Sequence, residues 1–216
     1  MADVSVTGDP NDVAVLVPAA GEGRRLGGVR KQFRTLGDRP LLVQVLLVFE
    51  RHPDVGHLVV AVPENHVRDV SDRLQSEGLS KLTAVVSGGD SRQSSVRNAL
   101  RAVPAPVEVV LVHDAVRPFV QAREVQTVVQ TVRAHGAASL AVPVADTLRA
   151  ADENVFGETV PRNGLYRMQT PQGFRRAWLE EAHRAAMEAE EDVSATDDVG
   201  LVQRAGRNVH RVRGHQ

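Results

Sequence analysis

Five short apolar runs, separated by stretches with helical periodicity, most constrain what this 216-residue chain can fold into. They occupy 13–17, 57–62, 82–86, 107–112 and 138–142. Each is continuously apolar rather than alternating, as strands are when both faces of a parallel sheet are covered. Helical patterns fill the intervals at 41–51, 64–77, 92–103 and 121–135. Pro40 suits the first turn of the first helix. Val96, Leu100 and Val103 recur at spacings of four and three, which gives the third helix one apolar face. This alternation predicts an α/β fold with a doubly wound, mostly parallel sheet. Ligands of such folds bind beyond the carboxyl ends of the strands.

The rhythm changes after residue 142. Residues 145–164 are polar, rich in turn formers and without a helical period, so they read as an extended arm. Residues 175–190 form an amphipathic helix with Trp178, Leu179, Ala182 and Ala186 on one side, 197–204 a shorter helix, and 208–212 a last strand. The expected organisation is a single domain over 13–216, with the arm as its only sub-domain, preceded by a disordered polar lead over 1–12.

Composition narrows the function. A net charge of −1 with both signs interspersed, and only 3% aromatic residues, argue against a nucleic-acid partner. Cysteine is absent, which excludes disulfides, thiolate metal sites and cysteine nucleophiles. The eight histidines have no metal-ligand spacing, and no metal-binding residue is assigned. No apolar stretch approaches the ~20 residues that span a bilayer, and the first twelve residues lack the plan of a secretory signal. A cytoplasmic protein with no membrane partner is expected.

The richest segment follows the first strand: Pro18-Ala19-Ala20-Gly21-Glu-Gly23-Arg-Arg25-Leu-Gly-Gly-Val-Arg-Lys31-Gln-Phe. Small residues let a backbone approach a triphosphate, N–H groups point at its oxygens, and cations neutralise it. The chain holds 24 arginines and two lysines, so a lysine here suits a need for a compact, mobile charge. The plain alternative is a solvated surface lysine. Two familiar phosphate loops do not fit. Gly23 and Gly28 have P-loop spacing, but Val29 and Arg30 stand where Lys and Ser/Thr are needed, and Leu26 takes the third glycine position of the dinucleotide fingerprint. The latter disfavours a nicotinamide dehydrogenase.

Two further motifs end strands. In Gly88-Gly89-Asp90-Ser91-Arg92-Gln93-Ser94-Ser95, Gly89 permits close backbone approach. Asp90 and Ser95 could bond a nucleobase edge, or Asp90 with Gln93 could form a capping box. In Val112-His113-Asp114-Ala-Val-Arg117-Pro, Asp114 can meet a hydroxyl or a divalent ion, and Arg117 can bind phosphate or simply pair with Asp114.

Together P-A-A-G-x-G-x-R-x-G with K-Q-F, G-G-x-x-R-x-x-S and H-D-A-x-R-P resemble the 2-C-methyl-D-erythritol 4-phosphate cytidylyltransferase family over about 13–212. The resemblance implies a Rossmann-like nucleotidyltransferase with an extended β-arm. It implies transfer of the cytidylyl group of CTP to a polyol phosphate, with Mg²⁺ held mainly by CTP phosphates. Arg25 and Lys31 would be the transition-state cations. Pro18, Ala19, Ala20, Gly21 and Gly23 would cradle the triphosphate, and Gly89, Asp90 and Ser95 the cytosine. Asp114, Arg117, Thr147, Arg162, Thr170 and Thr196 would bind the polyol phosphate, although Thr196 is equally a helix N-cap. His113 is expected to orient rather than to act as a base, because the attacking phosphate is its own nucleophile. The family's arm crosses to a second subunit, so a homodimer is expected. A ribitol 5-phosphate cytidylyltransferase is the near alternative. The family pattern runs on beyond residue 216 into a segment with a second lysine. That segment is expected to be missing here, through truncation, through replacement by an arginine, or in a CTP-binding protein of weak turnover.

Overall fold

Runs of Val, Leu and Ala bury both faces of a strand only when helices cover both faces of the sheet, and the chain does this. The computed structural model describes residues 9–21, 31–189 and 196–215. In chain order these form β1 (Val13–Pro18), β2 (Thr35–Leu36), β3 (Arg39–Pro40), α1 (Leu41–Glu50), β4 (His57–Val62), α2 (Val67–Ser76) and β5 (Leu82–Ser87). Then come α3 (Arg92–Arg101), β6 (Val109–Val112), α4 (Ala122–His135), β7 (Ala137–Pro143), β8 (Leu148–Asp152) and β9 (Val155–Val160). The described chain closes with β10 (Tyr166–Arg175), α5 (Arg176–Glu188), α6 (Asp198–Arg204) and β11 (His210–Arg213).

Among the described residues the central sheet runs β11-β7-β10-β6-β1-β4-β5. Pairings β6–β1, β1–β4, β4–β5 and β11–β7 are parallel, and β10 is antiparallel to both neighbours. The two-residue period of β1 sorts its side chains between two cores. Val13, Val15 and Val17 join Leu46 and Phe49 of α1, Leu74 of α2 and Val125 and Val129 of α4. Ala14 and Leu16 join Val96 and Leu100 of α3, Leu179 of α5 and Val202 of α6. The sheet is thus wound on both faces as expected, and each fully buried Val, Leu or Phe contributes roughly 1.5–3 kcal/mol.

Several boundaries differ from expectation for visible reasons. The helix expected over 64–77 opens as a 3-10 turn, Glu64–His66, behind Pro63. The lead ends in a 3-10 turn, Pro10–Asp12, where Asp12 pairs with Arg133 at 2.7 Å. The larger omission is β10. It carries Pro171 and two glutamines, so no apolar run announces it, yet its residues 170–174 are buried. Pro171 lacks an N–H and falls where the pairing with β7 breaks register, between Met168 and Gln172. Gly136 ends α4 at φ 92°, and a Cβ there would collide with the Trp178 ring, so the residue must be glycine.

The arm is a two-stranded antiparallel ribbon, β8 with β9. Every residue of β9 is exposed, with Phe156 at 78%.

Candidate functional site

The loop after β1 is shaped from inside the protein. Ala19 N–H donates to Ala61 O at 2.7 Å, which prolongs the β1–β4 pairing beyond Pro18. Gln32 lies in the 3-10 turn Lys31–Phe33 and is buried. Its Nε2 donates to Ala19 O at 2.7 Å and to Gly21 O at 3.1 Å. The loop's carbonyls therefore turn inward onto an amide. That amide also ties Lys31, one residue earlier and exposed, to the end of β1. Gly23 and Arg25 lie outside the described residues. On the other side, a Cβ on Gly88 would collide with Ala20 and come within 2.9 Å of Ser95 Oγ. The loops after β1 and β5 can touch only because Gly88 has no side chain.

Serine chemistry shapes the second loop. Ser91 is the N-cap of α3, accepting from Ser94 N–H at 3.0 Å, while Ser94 Oγ accepts from Ser91 N–H at 2.9 Å. The capping box is therefore Ser91 with Ser94, not Asp90 with Gln93. Asp90 is left exposed just outside the helix. Ser95, 2% exposed, accepts from Gly89 N–H at 3.1 Å and donates to Ser91 O at 2.9 Å. Its one proton is committed, and one acceptor position remains for a ligand.

At the end of β6, His113 is fully buried and its Nε2–H donates to Arg117 O at 2.9 Å. Burial pushes this imidazole down to about 4, against the pull of that carbonyl. It is neutral at pH 7 and folds the loop back so that Arg117 Nε reaches Asp114 Oδ2 at 2.9 Å. The main-chain N–H of Asp114 donates to Thr170 Oγ1 at 3.2 Å, and Thr170 is itself 6% exposed. The other carboxylate oxygen of Asp114 faces Arg92 Nε at 3.4 Å. Arg92 Nη1 in turn meets Asp198 Oδ2 at 2.6 Å. Burial works against the Arg92 guanidinium, but the Asp198 and Asp114 carboxylates outweigh it and hold it above its ordinary value. Burial pushes the Asp198 carboxyl up, and Arg92 pulls it back only in part.

The structure thus brings the described triphosphate-loop residues, Gly89, Asp90, Ser95, Asp114, Arg117 and Thr170 to one end of the sheet. Thr147 and Arg162 stand apart on the arm, one just before β8 and the other just after β9. Both are exposed, and the described hydrogen bond of the Arg162 guanidinium goes to Ala145 O. Thr196 is exposed, and the cap of α6 is Asp197, which accepts from Gly200 N–H at 2.9 Å. Three groups escaped sequence reasoning: Gln32, Gln172 and Asp198. Their nearness to residues already singled out, Gln32 one residue after Lys31 and Gln172 two after Thr170, is the signal that could have found the first two.

Comparison with known proteins places the whole described fold beside one family. The family model described as IspD: 2-C-methyl-D-erythritol 4-phosphate cytidylyltransferase matches residues 13–216. A Salinibacter ruber protein of that name is 69% identical over 202 residues, covering 94% of this chain and 84% of its own. A Geotalea uraniireducens protein of the same name is 40% identical over 206 residues, covering 94% and 88%. The crystal structure of 2-C-methyl-D-erythritol 4-phosphate cytidylyltransferase from Thermus thermophilus superposes with a TM-score of 0.79 at 36% identity, covering 94% of this chain and 89% of that one.

Proposed function

The chain belongs to the 2-C-methyl-D-erythritol 4-phosphate cytidylyltransferase family, and from that premise we propose how its residues carry the reaction. The enzyme transfers the cytidylyl group of CTP to 2-C-methyl-D-erythritol 4-phosphate. The products are 4-diphosphocytidyl-2-C-methyl-D-erythritol and pyrophosphate, a step of isoprenoid biosynthesis. Ribitol phosphate transfer and CTP binding with weak turnover are not favoured, since relatives at 69% and 40% identity carry the methylerythritol name.

An oxygen of the substrate phosphate attacks the α-phosphorus of CTP, and the α–β bridging oxygen leaves in line with pyrophosphate. A phosphate monoester is already an anion near pH 7, so no general base is needed. Catalysis is then positioning plus charge neutralisation at five-coordinate phosphorus. In this reading Ala19 to Gly23 cradle the triphosphate, Gly89, Asp90 and Ser95 meet the cytosine, and Arg25 and Lys31 neutralise the phosphorus. Asp114, Arg117, Thr170 and Thr196 hold the polyol phosphate, with Thr147 and Arg162 supplied by a second copy. Among the described residues no three His, Asp or Glu side chains gather to hold a metal ion. In this reading the triphosphate's own oxygens, with water, would hold Mg²⁺, which supplies charge shielding when bound. Among the described residues no helix is long and apolar enough to cross a membrane, and the cytoplasm, where CTP is made, is the proposed compartment.

The homodimer rests on the arm. An isolated two-stranded ribbon is marginal in water, and this one bares Val155 and Phe156 at 72% and 78%. A two-fold partner would cover them and carry Thr147 and Arg162 to a site where they have no role within one chain.

The observation that carries the reading is the convergence of Gln32-braced loop, Gly88–Ser95 loop and Asp114–Arg117 pair at one sheet end. The test is pyrophosphate release from CTP and Mg²⁺ with each polyol phosphate. Release with methylerythritol phosphate alone is expected, and release with ribitol phosphate alone would overturn it.

A further inference from the structure

We propose that Asp198 is a positioning residue for the polyol-phosphate half of the site, acting through Arg92 on Asp114. This rests on the reading above, in which Asp114 touches the substrate.

A closed ring of contacts runs through four parts of the fold. Arg92 opens α3, yet its guanidinium leaves that helix for two carboxylates distant in sequence. Asp198 Oδ2 is 2.6 Å from Nη1, and Asp114 Oδ1 is 3.4 Å from Nε. The second contact is long and weak on its own, so its direction depends on the short one. Asp198 is 2% exposed. It is held from the other side by Gln172 of β10, whose Oε1 accepts from Asp198 N–H at 3.1 Å and whose Nε2 donates to Asp197 Oδ2 at 2.8 Å. Two residues before Gln172 on the same strand, Thr170 Oγ1 accepts from Asp114 N–H. The ring therefore runs from Asp114 to Thr170, along β10 to Gln172, to Asp198, to Arg92 and back to the Asp114 carboxylate. His183 lies on the far side of Asp198, Nε2 to Oδ1 3.9 Å, and closes that flank without a hydrogen bond.

The consequence is specific. Asp114 has its main chain fixed by Thr170 and one oxygen fixed by Arg92. Among the described residues its other oxygen is held only by Arg117, whose side chain is 46% exposed. Arg117 can turn to an arriving phosphate without freeing Asp114, because Arg92 keeps the carboxylate in place. A planar guanidinium can serve two carboxylates from two nitrogens at once, whereas a lysine at the same place offers one point charge.

The test measures KM for each substrate in Asp198→Asn and Arg92→Lys. Both should raise KM for methylerythritol phosphate about tenfold or more, the scale of one lost charged hydrogen bond. KM for CTP should stay within about twofold, since uniform binding is lost for one partner only. The double variant should be little worse than either single one, because both break the same ring. Should Asp198→Asn fail to fold, Arg92→Lys keeps a cation against Asp198 and still carries the test. A role confined to tying α3 to α6 would lower the melting temperature and leave both KM values unchanged or move them together, which would overturn the proposal. Wild-type protein with no turnover of this substrate would instead overturn the reaction on which it rests.

Discussion

The side-chain amide of Gln32 donates to the carbonyl oxygen of Ala19 across 2.7 Å, from a buried position. A loop that must present N–H groups to phosphates has to dispose of its carbonyls, and this bond does so. It also makes the turn that carries Lys31 part of the same unit as the end of β1.

Gln32→Leu therefore leaves two loop carbonyls without their donor. A buried acceptor stripped of its partner costs about 1–3 kcal/mol, or a fall of roughly 2–12 °C in melting temperature for a domain of this size. KM for CTP should rise with it. Thermal unfolding and pyrophosphate release against CTP concentration measure the two effects, and an unchanged KM would separate Gln32 from the nucleotide loop.

Lys31→Ala should cost on the order of 10²–10³ in kcat, the scale for one electrostatic donor at the reacting centre. Lys31→Arg should recover part of it, because the charge returns with a different shape. Single-turnover measurements at saturating CTP read this directly. Near-full turnover in Lys31→Ala would remove it from the chemistry.

How far the residues themselves announce all this depends on whether a constraint is local. The buried strands and the two-faced winding are legible because Val13, Leu16 or Val60 can satisfy their environment only by being apolar. β10 is illegible for the converse reason: Thr170, Gln172 and Gly173 are buried by what packs on them, and the strand binds its neighbours through backbone bonds indifferent to side chain. At the site, Asp114 with Arg117 is visible three residues apart. The Arg92–Asp198 pair joins residues 106 apart, and no spacing rule reaches that far. Ser91 displaced Asp90 as cap because two serines three apart bond each other's backbone reciprocally, which a search for Glu or Gln at the third position passes over.

Phe156→Asp on the arm should abolish the proposed pairing of two copies while leaving the melting of the central domain nearly unchanged, since every residue of β9 faces solvent within one chain. Light scattering gives the mass. Activity should fall with it, because Thr147 and Arg162 would no longer reach a partner's site. A monomeric wild-type protein would dispose of the shared-site arrangement.

His113 and His183 are both 2% exposed or less, and burial pushes both imidazoles down to about 4, for His183 with help from the Arg97 and Arg92 charges. In the unfolded chain they titrate near 6.5. Above that pH both states are neutral and the rings contribute nothing. Between about 6.5 and 4 the unfolded state takes up protons that the folded state refuses, so stability falls as pH falls, by up to about 3 kcal/mol for each ring. Asp198, whose carboxyl burial pushes up, works the other way as it gains its own proton. Denaturant unfolding at pH 7.5, 6.5 and 5.5 should show little change over the first step and a clear loss over the second, already above the range of ordinary carboxylates. His113→Gln offers an amide that can still donate to Arg117 O and does not titrate, so it should flatten that slope by about one proton. An identical slope in this variant would mean that His113 accepts a proton inside the folded protein, and that the Phe49 ring, its centroid 4.9 Å from that of His113, does not keep it neutral.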